Sequence, residues 1–168
     1  MNITFQSLKD SIKRHLSVIG KRLYDKNGNN MFSNITVSTA EDPILEQYAK
    51  DAAQTVEAMC RQLVTEFTLT DSSISITFQN TRQLDDFDTR AAELVKTYII
   101  TEATGEYLAM THPDIAQKYE RDGLNAMNAL ITFVFHKQPP TVATSSPLDI
   151  STSVQDEEIP TEEDDNNG

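Results

Sequence analysis

Apolar residues recur along much of the chain at steps of three and four, the spacing that places side chains on one face of an α-helix. The first such segment predicts an amphipathic helix over residues 5–24, within a basic N-terminal region of residues 1–30. Its apolar face consists of Phe5, Leu8, Ile12, Leu16, Ile19 and Leu23. The Asn-Gly-Asn-Asn segment at residues 27–30 indicates where this helix ends.

A second helix is predicted to begin at Asp42, with Asp42 as its cap and Pro43 at its first helical position. Its apolar positions are Leu45, Tyr48, Ala52, Val56, Met59 and Leu63. A third helix is predicted over residues 87–110, because Asp85, Asp86 and Asp88 lie at its start, where negative charge interacts favourably with the helix dipole. A fourth follows, with Thr111 and Asp114 spaced as a cap pair.

The apolar period changes to two between residues 64 and 79, which predicts a β-hairpin between the second and third long helices. The alternating apolar residues are Phe67, Leu69, Ile74, Ile76 and Phe78, and Asp71-Ser72-Ser73 supplies a polar turn. An isolated hairpin is marginal in water, so it needs other apolar surface to pack against. These five side chains therefore either cover the helical core or contact adjacent subunits, and the pattern leaves both interpretations open.

Together these elements predict a mainly α fold: a compact four-helix domain with a β-hairpin, whose body spans residues 31–137. Residues 138–168 form an acidic tail rich in Pro, Ser and Thr, with eight carboxylates and no Lys or Arg. Such a composition cannot bury enough surface to offset its ordering entropy, so we expect a tail that is disordered or ordered by a partner. Its short apolar anchors are Leu148, Ile150 and Val154.

Charge is unevenly distributed along the chain. The first 26 residues carry six basic and two acidic side chains, although the whole chain has a net charge of −12. A candidate basic contact face on the first helix consists of Lys9, Lys13, Arg14, Lys21 and Arg22. This face is either the solvated side of a core helix or a contact for an acidic neighbour, a membrane surface or DNA. Clustered Lys and Arg are otherwise lacking in the sequence, which argues against direct nucleic-acid binding.

The sequence contains no recognisable arrangement for catalysis, so we predict a protein that is not an enzyme and has no catalytic residue, cofactor or metal. It lacks a phosphate-binding Gly-rich loop, zinc-type Cys and His spacing and a serine elbow. Cys60, the single cysteine, is expected to be an inert, partly buried thiol. No apolar run is long enough for a membrane span and no export signal is evident. We therefore predict a soluble protein of cytoplasmic origin that does not associate with a membrane.

The order of elements resembles the small head–tail connector, or adaptor, proteins of tailed bacteriophages and prophages over roughly residues 40–137. The similar segments are Asp42-Pro43-Ile44-Leu45, followed by Tyr48 and Ala52, and the helix 87–110 with the last helix after it. The resemblance implies a structural protein of the virion neck, made in the host cytoplasm. It also implies a homo-oligomeric ring between the portal and tail proteins, with twelve copies by analogy with the family. It transfers no functional residue.

Two alternatives belong to other functional classes. The residues after Lys26 carry a net charge of −16, because the first 26 contribute +4 to the total of −12. That charge suits an acidic regulatory protein or a DNA mimic that binds a nucleic-acid-processing partner. The other alternative is an accessory protein of DNA metabolism whose acidic tail covers a basic surface. Carboxylates in the body cluster at helix starts rather than in a duplex-like array, which favours the connector hypothesis.

Overall fold

The computed structural model describes residues 1–22, 27–29, 37–80 and 83–135. Within these ranges the chain forms four α-helices and one three-stranded antiparallel sheet. The order is β1 (Asn2–Thr4), α1 (Phe5–Arg22), a 3-10 turn (Thr39–Glu41), α2 (Asp42–Cys60), β2 (Val64–Leu69), β3 (Ser73–Phe78), α3 (Phe87–Thr111) and α4 (Pro113–Phe135). The mainly α fold with a hairpin between the second and third helices is therefore confirmed. None of the described helices is long and apolar enough to cross a lipid bilayer.

Two predicted helix caps are wrong. Asp42 lies inside α2, and the turn before it is closed by Glu41, whose carboxylate accepts from the Ser38 backbone N–H at 2.8 Å. Thr111 is the last residue of α3 and cannot cap α4. The carbonyl of His112 accepts instead from the amides of Ile115 and Ala116, so one residue separates the two helices.

Strand β1 is short and was not predicted. It pairs with β3 through Asn2–Ser75, Ile3–Ile74 and Thr4–Ser73, which makes β3 the central strand of the order β1-β3-β2. The Met1 nitrogen donates to the Ile76 carbonyl at 2.9 Å. The Phe5 amide donates to the Ser72 carbonyl at the same distance, so the first residue of α1 is hydrogen-bonded to the hairpin turn.

One apolar core joins the sheet to all four helices. Its sheet side consists of Ile3 and the alternating residues of β3, and the helices contribute Phe5, Leu8, Val56, Phe87, Val95, Phe133 and Val134, among others. A second cluster between α1, α2, α3 and the start of α4 includes Ile12, Leu16, Leu45, Ala103 and Leu108. Each large apolar side chain buried in this way stabilises the fold by about 1.5–3 kcal/mol.

Helices α3 and α4 pack closely because two glycines lie at their interface. A Cβ added at Gly105 would be 3.2 Å from Cβ of Tyr119, and one at Gly123 would be 2.6 Å from a carboxylate oxygen of Glu102. Glu102 contacts Gly123, whereas Gly105, three residues later on α3, contacts Tyr119, four residues earlier on α4. The two helices therefore run antiparallel. Gly105 is unfavourable for an isolated helix, but the lack of a side chain is what permits this contact.

Replacement of Gly105 by Val tests this interface. We expect Gly105→Val to lower the free energy of unfolding by about 1–3 kcal/mol, because its branched side chain meets Tyr119 in a packed contact. Ala109→Val, one turn later at an exposed position, is the matched control. Urea denaturation followed by circular dichroism measures both. Intrinsic helix propensity alone favours Gly105→Val over Ala109→Val, so a result in which Gly105→Val is the more stable of the two variants would contradict close packing.

Candidate functional site

Strand β2 has one unpaired edge in the described part of the chain. Its other edge is bonded to β3, with Phe67 opposite Ile76 and Leu69 opposite Ile74. At the hairpin end the Thr70 amide donates to the Ser73 carbonyl at 3.0 Å. Hydrogen-bonded and non-hydrogen-bonded pairs alternate along an antiparallel ladder, so the amides of Phe67 and Leu69 point away from β3. An edge of this kind can accept another strand.

The structure corrects three of the predicted subunit contacts. Ile74, Ile76 and Phe78 lie on the central strand and are 0%, 0% and 4% exposed, so their side chains are buried in their own chain. They have no surface for a neighbouring subunit, and the interpretation that they cover the helical core applies to them. Phe67 and Leu69 pack against the core with part of their surface still exposed, so they stay candidate contacts.

Two of the predicted basic contact residues bind α2 of the same chain. Lys9 Nζ lies 3.3 Å from Glu46 Oε2, and Lys13 Nζ contacts Asp42 Oδ1. Lys50 and Lys9 lower the pKa of Glu46, mainly through the hydrogen bond from Lys50. Part of the basic charge of α1 is therefore neutralised within the fold.

The other predicted contact residues lie partly on the surface of α1 and partly outside the described residues. Arg14 and Lys21 are exposed on α1. The side chain of Arg22 and the tail anchors Leu148, Ile150 and Val154 lie outside the described residues. The prediction of a disordered or partner-ordered tail also falls outside them, so it stays a prediction.

A cleft between α2, α3 and α4 was not found from the sequence. Its volume is about 330 Å³. Its lining includes Met59 from α2, Tyr98 and Glu102 from α3, and Glu120, Leu124 and Met127 from α4. Met59 and Leu124 are 58% and 67% exposed and line the same cleft, and large exposed apolar side chains grouped in one place indicate an interaction surface.

The cleft extends along α3 into two smaller hollows that share Glu102 and Glu106. One of these hollows is also lined by Tyr48 and Asp51 of α2. The Tyr48 hydroxyl contacts Met110 Sδ at 2.7 Å, which places a third exposed apolar side chain beside this end. Together these hollows form a groove with apolar side chains at both ends and carboxylates between them, hereafter the α2–α4 groove.

The charge in the groove is of one sign. Burial raises the pKa of Glu102, and repulsion from Glu106 and Glu120 raises it further. Burial also raises the pKa of Tyr98 to about 12, with a further contribution from Glu102. The ion pairs of the described residues lie elsewhere: between α1 and α2, within α2 and at the start of α3. None of them pairs a described Lys or Arg with Glu102, Glu106 or Glu120.

Residues with reactive side chains have structural roles in this fold. Cys60 is buried, and burial raises the pKa of its thiol to about 11, so it is protonated at neutral pH and a weak nucleophile. This agrees with the predicted inert thiol. His112 occupies the turn between α3 and α4, where its carbonyl receives the first amides of α4. Among the described residues, no group of three His, Cys, Asp or Glu is placed to hold a metal ion.

Comparisons with known proteins do not identify the chain. No protein-family model, curated protein or solved structure matches it. The resemblance to connector proteins therefore depends on the sequence segments quoted above, and function has to be argued from the surfaces just described.

The ionisation of Glu102 gives a testable pH dependence. Its pKa is raised in the folded state, so its contribution destabilises the fold as pH rises through the folded pKa and vanishes below the ordinary value of 4.5. We expect Glu102→Gln to increase the free energy of unfolding at pH 7 by up to about 1 kcal/mol, a small value because the carboxyl is partly exposed. The gain should disappear toward pH 4.

Urea denaturation across this pH range measures the effect, and Glu93→Gln, at an exposed position of α3, is the control for loss of one charge. Equal pH profiles for the two variants would show that the surroundings of Glu102 do not destabilise its ionised form.

Proposed function

We propose that this chain is a non-enzymatic structural protein that assembles into a homo-oligomeric ring, of the kind that joins portal to tail in the neck of a tailed phage virion. The observation that carries the proposal is the unpaired edge of β2, with its outward amides at Phe67 and Leu69. The resemblance of residues 40–137 to connector proteins gives this edge a biological setting.

Strand addition at β2 is physically favourable for assembly. A strand from a neighbouring copy would accept hydrogen bonds from outward amides that otherwise depend on water. It would also cover the remaining exposed parts of Phe67 and Leu69, which already pack against the core of their own chain. Main-chain bonds of this type hold two subunits in a fixed orientation, and a contact between two different surfaces forms a ring when its rotation closes.

The two rival functions receive less support from the described surfaces. Lys9 and Lys13 are paired with Glu46 and Asp42 of α2. These pairs reduce the basic surface on α1 that an acidic tail could cover. The carboxylates of the α2–α4 groove lie between exposed apolar side chains, and a phosphate array in DNA has no such neighbours. A ring-forming structural protein accounts for the sheet edge, which neither rival uses.

The oligomeric state of the full chain tests the proposal. We expect mass photometry and negative-stain images to give closed rings that dissociate on dilution. Leu69→Pro should raise the dissociation concentration by roughly tenfold more than Leu69→Ala, because both lose the side chain and only proline removes the outward amide. Proline at this position removes no bond to β3, so circular dichroism should give the same helix content for both variants.

A chain that is monomeric at all concentrations would contradict the proposal. So would rings that form equally well from the Pro and Ala variants, because the unpaired edge would then play no part in assembly.

A further inference from the structure

Three of the five large apolar side chains that are strongly exposed in the described residues lie along the α2–α4 groove. Met59 and Leu124 flank its wide end, and Met110 lies beside Tyr48 at the other end. Met59 and Tyr48 are eleven positions apart on α2, which corresponds to a length of about 16 Å along the helix axis. The groove therefore has the length of about three turns of an α-helix.

Between these apolar ends the groove is acidic. Glu102 and Glu106 lie one turn apart on α3, Glu120 lies across from them on α4, and Asp51 lies on α2. Glu102 packs over Gly123, where even a methyl group would collide with its carboxylate. The pKa of Glu102 is raised by burial and then further by repulsion from Glu106 and Glu120. Carboxylates placed this way attract a cation that can approach along an apolar surface.

We propose that the α2–α4 groove binds a cationic amphipathic helix of a partner protein. Two apolar residues about three turns apart would contact Met59 with Leu124 at one end and Tyr48 with Met110 at the other. Lys or Arg residues between them would pair with Glu102, Glu106 and Glu120. This inference does not depend on ring assembly, and its failure would leave the proposed function unchanged.

Charge decides between this occupant and segments of the chain itself. The C-terminal tail, residues 138–168, has eight carboxylates and no Lys or Arg, so the acidic groove repels it. Lys9 and Lys13 are paired with Glu46 and Asp42. On α2 those two acids lie on the side opposite Tyr48 and Thr55, because successive helical residues are rotated by about 100°. Lys9 and Lys13 of the same copy therefore do not reach the groove.

A defined synthetic peptide tests the proposal with the full chain. The probe is an amphipathic helix of Ala, Leu and Lys, with leucines at both ends of one face and lysines between them. Fluorescence anisotropy should detect binding that weakens with added salt. A peptide with Glu in place of Lys, and one with the same composition in scrambled order, should not bind detectably.

Matched variants locate the binding. Glu106→Gln and Leu124→Ser should each weaken the affinity for the Lys peptide by about fivefold, a change of about 1 kcal/mol. Glu93→Gln and Val18→Ser make the same chemical changes at exposed positions on α3 and α1, away from the groove, and should alter the affinity by less than about twofold.

Several results would overturn the proposal. Equal losses in the groove and control variants would mean that the peptide responds only to the net negative charge of the chain. Equal binding of the scrambled peptide would exclude helix recognition, and no binding of the Lys peptide would exclude the occupant. Self-association that is weakened by Glu106→Gln, without peptide binding, would assign the groove to a second copy of this chain.

Discussion

Burial of one face of strand β3 is the constraint on which the rest of the fold depends. Ile74, Ile76 and Phe78 point into the core, and the intervening Ser75 and Thr77 point to the other side of the sheet. A slip of one residue would exchange these two sets and place hydroxyl groups beneath four helices. The apolar core therefore fixes the register of β3, and β3 in turn fixes the positions of β1 and β2.

The same constraint places β1 and β2 at the two edges of the described sheet. Strand β1 occupies one side of β3 and is continuous with α1, so the chain direction there is set by helix packing. Strand β2 occupies the other side and has no further strand beyond it in the described residues. Its side chains still pack on the core, so the fold is complete without a neighbour. The outward backbone groups of β2 retain bonding capacity, which makes strand addition compatible with a folded subunit.

The features that sequence analysis predicted are those in which burial leaves a local period. The predicted helix 87–110 matches α3, and the hairpin lies where the apolar period changes from about four to two. Strand β1 could not be found, because three residues with one buried side chain, Ile3, contain no period. The alternation in β3 predicted two faces but could not say which subunit covers the apolar one. That information lies in residues distant along the chain.

The α2–α4 groove was invisible for the same reason. Thr55, Glu102 and Glu120 come from three helices and are brought together by helix packing, in which Gly105 and Gly123 lie at the contact between α3 and α4. In the sequence these glycines are weak helix positions, and the carboxylates are ordinary solvated residues. Whether a charge is costly depends on its surroundings, so a net charge of −12 contains no information about where repulsion is concentrated.

The structure separates the acidic residues on and around α2 into two functional sides. On one side Glu46 and Asp42 neutralise lysines of α1, so the basic N-terminal region is in part a structural element. On the other side, burial and then repulsion from Glu106 and Glu120 raise the pKa of Glu102 on α3, which means that its ionised form destabilises the isolated chain. A cation bound there would remove this penalty in addition to making its own contacts. Binding and stability are then linked. A cationic ligand should stabilise the fold most at a pH where Glu102 is ionised, which is also where the unbound groove destabilises the fold most.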